Sequence, residues 1–142
     1  MGRHDDAIKF FRRGSEADPT AVEPLYYWGH TLLRSGKRAE GVAKLQACLK
    51  LDDRYYKVHH DLGQAAYQEG DFPQAEGHYR NALAILSSSV PTLRQLGRCL
   101  IRQGKVQQGI ELLKKSVEIQ PDESVADEIK RLSAAASMKR LP

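Results

Sequence analysis

Three arginines spaced one helical turn apart are the sharpest chemical feature of the sequence. Arg94, Arg98 and Arg102 follow one another at intervals of four residues, so on a helix their side chains leave the same face. Guanidinium groups bind carboxylates through paired, charge-assisted hydrogen bonds. The spacing therefore indicates a surface for an acidic or carboxylate-ending peptide. The alternative is an ordinary solvated helix face.

The other residues that could do chemistry form no catalytic or metal-binding pattern. His59 and His60 are adjacent, so on a helix their rings point about 100° apart and do not easily share one ion. The sequence has no His-Glu-x-x-His, Cys-x-x-Cys or Gly-x-x-x-x-Gly-Lys motif. Cys48 and Cys99 are the only cysteines, which predicts free thiols in a reducing compartment. We expect a cytoplasmic protein with no metal, no cofactor and no enzymatic activity.

Length and composition describe one folded domain. The chain has 142 residues, of which 41% are hydrophobic and 28% are charged, as in soluble globular proteins rather than disordered ones. Its net charge of +4 could favour an acidic partner but is too small to indicate nucleic acid. No apolar run is long enough to cross a membrane, and the first residues lack the apolar segment of a signal peptide.

Residues of the same kind recur every 34 positions. One column holds only glycine: Gly29, Gly63 and Gly97. A second column also holds only glycine: Gly2, Gly36, Gly70 and Gly104. A third holds very small residues, and a fourth holds large apolar ones: Ala7, Gly41, Ala75 and Gly109, then Phe11, Leu45, Tyr79 and Leu113. Four columns in one register indicate a repeat protein.

The repeated unit reads as a helix, a turn and a second helix. Apolar residues recur at helical spacing within it, which predicts helices at 57–69, 73–86, 91–103 and 107–119. The second glycine column falls in the turns, where a helix commonly ends on glycine. A glycine inside a helix costs roughly 1 kcal/mol relative to alanine. The first glycine column therefore predicts close packing of the two helices, with the small-residue column supplying the other side.

This pattern resembles the tetratricopeptide repeat family, whose 34-residue unit is a pair of helices. The central unit matches best, through Leu62, Gly63, Ala75, Tyr79 and Ala82. The resemblance implies an all-α fold, a right-handed α-solenoid of antiparallel helix pairs. It also implies a protein–protein interaction function, although one fold can serve many partners.

The register divides residues 1–142 into a single domain of successive parts. These are the second helix of a truncated unit at 4–19, repeats at 22–55, 56–89 and 90–123, a capping helix at 124–136 and a loose tail at 137–142. Ser124 and Asp127 resemble a capping box at the start of the capping helix. Arg131 stands in the first glycine column and should keep a further second helix from packing closely.

The predicted first helix lacks the helix that would precede it in a complete unit. Its apolar residues, such as Ile8 and Phe11, are therefore expected to be exposed. We predict homo-association through this helix. A strictly monomeric sedimentation profile at high concentration would contradict it.

The resemblance also implies where a partner would bind. In the tetratricopeptide family the first helices line the concave face, and a stripe of residues on them contacts ligands. Carried onto this sequence, the stripe predicts these partner-binding residues: Tyr26, His30, Arg34, Lys57, His60, Gln64, Tyr67, Arg94, Arg98 and Arg102. The tyrosines have a second interpretation, namely packing between neighbouring repeats.

One well-known ligand site of the family does not fit this sequence. The clamp that holds chaperone C-termini uses a lysine and two asparagines of the stripe. Those positions hold Tyr26, His30 and Asp61 here. The departure argues against a co-chaperone.

Three functions remain open at this point. The leading hypothesis is a scaffold that binds an extended or acidic peptide of a partner in its concave groove. The second is a structural subunit that assembles a complex through the ends of the array or through self-association. The third is RNA binding, by analogy with pentatricopeptide arrays, which the period of 34 and the single basic helix weigh against.

Overall fold

Eight α-helices form the part of the chain that the structure describes. The computed structural model describes residues 2–139, and this range contains no β-strand. None of its helices is long and apolar enough to cross a membrane. The helices are α1 (Arg3–Ala17), α2 (Val22–Arg34), α3 (Arg38–Leu51), α4 (Tyr56–Gln68), α5 (Phe72–Ile85), α6 (Val90–Arg102), α7 (Val106–Ile119) and α8 (Glu123–Met138).

Each complete helix pair turns on a glycine in the left-handed region. Gly36, Gly70 and Gly104 have φ values of 85°, 81° and 81°, which glycine adopts without a steric penalty. The backbone N–H of the next residue then donates to a carbonyl of the preceding helix, as from Lys37 to Leu32 at 2.9 Å. This arrangement satisfies the last carbonyls of the first helix and reverses the chain. The turn position predicted from the second glycine column is confirmed.

The mid-helix glycines let the two helices of a pair approach closely. A Cβ added at Gly29 would lie 3.1 Å from the carbonyl oxygen of Gly41, and one added at Gly97 would lie 2.9 Å from that of Gly109. In these two pairs the small-residue column supplies the other side, as predicted. The middle pair differs, because a Cβ at Gly63 would instead lie 2.7 Å from the ring of Tyr79. There the missing side chain makes room for an aromatic ring.

A hydrophobic core runs along the array between first and second helices. Leu45 and Tyr79 on second helices are fully buried, and Leu96 and Leu100 on α6 are only 1% exposed. At the end of the array, Val125 of α8 packs with residues of α7. The apolar repeat thus produces three successive hydrophobic clusters along the array, and the predicted all-α solenoid is confirmed.

First helices contact one another and second helices do not. Helix α2 touches α4, and α4 touches α6, whereas within residues 2–139 no contact joins α3 to α5 or α5 to α7. The shorter spacing of the first helices places them on the inside of the curve. We call the surface formed by α2, α4 and α6 the inner face.

The ends of the array differ from the sequence prediction in detail. Helix α1 ends at Ala17 instead of running to residue 19, because Asp18 leaves the helical conformation and its carboxylate accepts hydrogen bonds from Thr20. The proposed capping box at Ser124 and Asp127 is wrong. Asp122 is the N-cap, since its carboxylate accepts a hydrogen bond from the backbone N–H of Val125.

Helix α8 is also longer than the predicted 124–136. It begins at Glu123 and ends at Met138, so residues 137 and 138 are helical and do not belong to a loose tail. Alanine and serine at 133–137 do not break a helix, and residues 123–139 contain neither glycine nor proline. The rest of the predicted tail, 140–142, lies outside the described residues.

Candidate functional site

All ten predicted partner-binding residues lie on first helices. Tyr26, His30 and Arg34 belong to α2, while the next four belong to α4 and the three arginines to α6. The structure does not bring them together as one open surface. It divides them into residues that pack, residues that pair within the chain and residues that face cavities.

His30 and Asp61 join α2 to α4 at the centre of the inner face. The His30 Nδ1 atom lies 2.7 Å from an Asp61 carboxylate oxygen. The two side chains are 34% and 12% exposed, respectively. Asp61 also raises the pKa of the Tyr26 hydroxyl, for which burial is the larger cause. The pair therefore fixes the relative position of two successive first helices.

Two cavities share this histidine–aspartate pair. One has a volume of about 400 Å³ and adds Tyr56, Lys57 and His60 to its lining. The other has a volume of about 150 Å³ and adds Arg34 to its lining. Each cavity thus contains one long basic side chain without an acidic partner in the described residues, Lys57 or Arg34, and the smaller one is also lined by Arg38, which is paired with Glu69. We call the two together the inner groove.

His60 continues the polar contacts from α4 to α6. Its Nδ1 atom lies 2.9 Å from the Thr92 hydroxyl, which lies 2.8 Å from the hydroxyl of Ser89. Burial lowers the pKa of His60, and the neighbouring His30 lowers it further although Asp61 opposes this. The ring is therefore held in its neutral form at the floor of the groove.

Three of the predicted binding residues make ring contacts or hydrogen bonds within the chain. Tyr26 is buried and lies in ring contact with Tyr55, at 5.2 Å between centroids. Gln64 accepts a hydrogen bond from the Tyr79 hydroxyl at 3.1 Å. Tyr67 lies edge-on against Phe72 at 5.2 Å. For both tyrosines the packing interpretation describes the contacts made within the chain.

Two of the three arginines on α6 pair with acidic residues of α8 and its N-cap. Arg98 donates from Nε and Nη2 to the two carboxylate oxygens of Glu128, at 3.2 and 2.9 Å. This hydrogen bonding raises the pKa of Arg98 further above its ordinary value. Arg94 lies 3.1 Å from the Asp122 carboxylate. The chain's own acidic residues thus occupy the positions where an acidic peptide was predicted to bind.

The remaining basic residues of the stripe differ from these two. Arg102 lies over the ring of Phe72, at 4.8 Å from its centroid. Arg34 and Lys57 form no ion pair within the described residues 2–139. Arg102 also forms no ion pair in this range, but its guanidinium lies on a ring, whereas Arg34 and Lys57 line the cavities beside His30 and Asp61.

Sequence reasoning missed the acidic partners of the basic residues. Asp61, Asp122 and Glu128 were not among the predicted site residues, yet each pairs with a stripe residue of the preceding first helix. The sequence contains a signal for them. Each acid follows its basic partner by 28 to 31 residues, three to six fewer than one repeat period, which is where neighbouring first helices meet.

The two cysteines are buried and free. Burial raises the pKa of Cys48 to about 12 and also raises that of Cys99. The Cys99 thiol donates to the carbonyl oxygen of Phe72 at 3.2 Å. An inert thiol is therefore the right description of Cys99, while the cytoplasmic location stays a prediction.

Two family models match the chain, and both describe a tetratricopeptide repeat. One matches residues 26–90 and the other residues 66–135, so together they span all three helix pairs. The chain belongs to the tetratricopeptide repeat family. The repeat register, the turn glycines and the all-α solenoid are all accounted for by this membership, and the family supports a role in protein–protein interaction.

Similar proteins agree with this assignment. BBSome complex member BBS4 from Bos taurus is 23% identical over 121 residues, which is 85% of this chain and 23% of that protein. The chain thus spans about a quarter of the length of this curated relative. The crystal structure of MamA superposes with a TM-score of 0.83 at 22% identity, over 94% of this chain and 79% of that one.

A peptide complex is also among the similar structures. The first tetratricopeptide domain of Spaghetti (RPAP3), bound to the HSP90 peptide SRMEEVD, gives a TM-score of 0.76 at 17% identity. The similarity covers 82% of this chain and 93% of that one. At this level of identity the likeness establishes the shared fold alone.

Proposed function

We propose that this tetratricopeptide protein binds an extended acidic segment of a partner protein in the inner groove. The observation that carries the proposal is the pair of cavities around His30 and Asp61, each with one basic side chain that has no acidic partner among the described residues. Carboxylates of a peptide would pair with Arg34 and Lys57. Tyr56 and His60 would contribute ring surface between them.

The first two units suit this role better than the third. Arg94 and Arg98 are paired with Asp122 and Glu128, so a peptide carboxylate would have to displace an acid of the same chain. The same pairing reduces the positive potential of α6 and weighs against RNA. We therefore propose that the acidic peptide binds to α2 and α4 instead of α6. The other predicted binding residues lie around this site.

The chemistry of a similar complex supports an acidic ligand. The peptide held by the RPAP3 domain, SRMEEVD, ends in a strongly acidic stretch. The positions of the chaperone clamp nevertheless hold Tyr26, His30 and Asp61 in this chain. We therefore propose an acidic peptide as the class of ligand, without extending the proposal to chaperone C-termini.

Charge reversal in the groove tests the proposal. Peptides selected on the whole chain from a displayed library of random sequences serve as probes, and fluorescence anisotropy measures their affinity. The double variant Arg34→Glu, Lys57→Glu should lower the affinity by about tenfold or more, since both charges change sign beside the peptide. The matched control is Lys114→Glu, Lys115→Glu, which makes the same charge change on exposed residues of α7.

Either of two results would refute groove binding. One is that the groove variant and the α7 variant bind the probes equally well while both keep the circular dichroism of the native chain. The other is that no selected peptide binds in a manner that depends on the groove.

We also propose self-association through α1, which a separate observation favours. Phe10 is 72% exposed, and a cavity of about 320 Å³ between α1 and α2 is lined by Phe10, Phe11 and Tyr27. Phe11 occupies the register position at which Leu45 is fully buried one unit later. The occupant proposed for this face is a second copy of the chain, and a relative named as a complex member fits an assembly role.

Sedimentation velocity tests self-association. The native chain should sediment as a concentration-dependent dimer, and Phe10→Glu should be monomeric because it places a charge in the contact. Leu86→Glu, on an exposed apolar residue after α5, is the control and should still dimerise. A native chain that stays monomeric at millimolar concentration rules the proposal out.

A further inference from the structure

A cavity of about 640 Å³ lies at the last junction of the array. It is bounded by the end of α6, the start of α7 and the second half of α8. Ile101, Val106 and Leu132 form its apolar lining, while Lys105 and Lys139 belong to its rim. Its volume lies within the range of about 300–1,000 Å³ that is typical of ligand sites.

One unit earlier, the equivalent space is filled by the chain's own side chains. There the ring of Phe72 packs edge-on against Tyr67 at 5.2 Å, and the guanidinium of Arg102 lies 4.8 Å from the Phe72 ring centre. The positions 34 residues further on all carry smaller side chains: Ile101, Val106 and Ala136. The cavity at the last junction is therefore equivalent to the space that Phe72 and its neighbours fill one unit earlier. It is open because smaller side chains occupy the corresponding positions.

The first junction is also filled from within. Arg38 stands 34 residues before Phe72. It donates to the Ala65 carbonyl oxygen at 2.7 Å and to the Gln68 side chain at 3.0 Å. The cavity between α2 and α4 that corresponds to the one at the last junction measures about 150 Å³, and a separate cavity of about 390 Å³ lies between α3, α4 and α5. A long side chain at this position thus narrows the space between α2 and α4, and Val106 is too short to do the same at the last junction.

We infer that the last-junction cavity binds an aromatic side chain of the partner peptide, with an acidic residue beside it. The aromatic class follows from the ring that fills the equivalent site one unit earlier. The acidic neighbour follows from the rim. Lys105 is paired with Glu76 at 3.0 Å, whereas Lys139 is exposed and forms no ion pair within residues 2–139.

This inference rests on the proposed function, because it assigns the cavity to the same peptide that the inner groove is proposed to bind. Ile101 occupies the register position held by Leu33 in the first unit, and Leu33 lines the cavity that contains Arg34. An extended peptide lying along the inner face would therefore pass from the basic groove of α2 and α4 to this cavity. The acidic residues of the peptide would pair with Arg34 and Lys57 in the inner groove, and its aromatic residue would bind in the cavity at the last junction.

Refilling the cavity tests the inference on the whole chain. Val106→Phe restores the ring found at Phe72, and Ala136→Arg restores the side chain found at Arg102. Ala134→Arg is the matched control, since it adds the same side chain to an exposed position of α8 that does not line the cavity. The probes are the peptides selected for the groove experiment, with their aromatic residue intact or replaced by alanine.

Each filling variant should weaken binding of the intact peptides by about tenfold or more, as expected for loss of a buried aromatic anchor. Ala134→Arg should change it less than about twofold. The alanine-substituted peptides should bind weakly to the native chain and show no further loss with the filling variants. This pattern is specific to the cavity, because a folding defect would affect both kinds of peptide.

The inference and the proposed function fail in different ways. If binding depends on Arg34 and Lys57 but is within twofold of native in both filling variants, only the cavity assignment is overturned. If a chain ending at Lys139 binds the peptides at least tenfold more tightly, the cavity's occupant is the chain's own C-terminal end, which also overturns it. If binding is independent of Arg34 and Lys57, the groove proposal itself fails.

Discussion

Arg98 on α6 and Glu128 on α8 form a two-pronged ion pair, with N–O distances of 3.2 and 2.9 Å. The two residues stand 30 positions apart in the sequence, close to one repeat period. Their pairing has two consequences. It holds the final helix against the array, and it removes from the inner face a guanidinium group that the sequence alone had assigned to a partner.

We expect this ion pair to contribute measurably to stability. Its side chains are 37% and 24% exposed, and a bidentate arginine–carboxylate pair in that setting is worth about 1 kcal/mol. A double-mutant cycle with Arg98→Met and Glu128→Gln should give a coupling of that size in urea denaturation. The pair Lys130–Asp127, separated by 3.9 Å and 80% and 70% exposed, is the control and should give about 0.3 kcal/mol or less. Equal couplings for the two pairs would show that α8 does not depend on Arg98.

The mid-helix glycines should respond to alanine in opposite directions. At Gly97 a Cβ would lie 2.9 Å from the Gly109 carbonyl oxygen, so Gly97→Ala should destabilise the fold by about 1–3 kcal/mol. At Gly77 on α5 no atom lies within 4 Å of an added Cβ, so Gly77→Ala should stabilise it by up to about 1 kcal/mol through helix propensity. Urea denaturation of both variants checks the pair. Stabilisation by Gly97→Ala would mean that α6 and α7 are not in close contact.

His60 should make stability depend on pH in the mildly acidic range. Its pKa is lowered in the folded chain, so just below the ordinary value of about 6.5 the unfolded chain binds the proton more readily. Stability should therefore fall as the pH decreases from about 7 through this range. His60→Gln should make the dependence less steep, whereas His4→Gln, on an exposed residue of α1, should leave it unchanged. Equal slopes for native and His60→Gln chains would contradict a buried, neutral His60.

Glu76 should contribute stability that disappears in acid. Burial opposes its ionisation, but hydrogen bonds from Lys105, Gln103 and Arg80 hold its pKa at about 2. Because the folded pKa is lowered, this stabilisation is complete above about pH 4.5 and is lost as the pH falls towards 2. Glu76→Gln should cost about 1–2 kcal/mol at pH 7 and much less at pH 3.

The exposed Glu118 of α7 provides the matched control for that experiment. Glu118→Gln should change stability little at either pH. A Glu76→Gln variant whose loss of stability is the same at pH 3 as at pH 7 would show that the carboxylate charge is not responsible.

The 34-residue repeat predicted most of the fold because each repeated residue type is required by the local backbone or packing at its position. Gly36 is needed for a left-handed turn, and Gly97 for a close approach, so either residue reports the structure around it. The cap of α8 was misplaced because Ser124 and Asp122 are both good N-caps. The structure identifies Asp122 as the N-cap, because its carboxylate accepts the hydrogen bond from the Val125 N–H.

The candidate site was less predictable because its residues are defined by neighbours in other repeats. The sequence places Arg94 and Arg98 on one helix face, but it does not say that Asp122 and Glu128 lie opposite them. In the same way, the space left by Val106 is visible only when its position is compared with Phe72 in three dimensions. Contacts within a unit follow from spacing, whereas contacts between units depend on the angle at which units stack.

The central claim is that a partner peptide lies on the inner face, and site-directed photo-cross-linking tests it most directly. A benzophenone amino acid replaces Gln68, an exposed residue of α4 that lines the same cavity as Arg34, or Lys114 on the outer helix α7, and the chain is irradiated with a selected peptide bound. We predict a cross-link between the peptide and position 68 and none at position 114. Cross-linking at position 114 with none at position 68 would contradict the account.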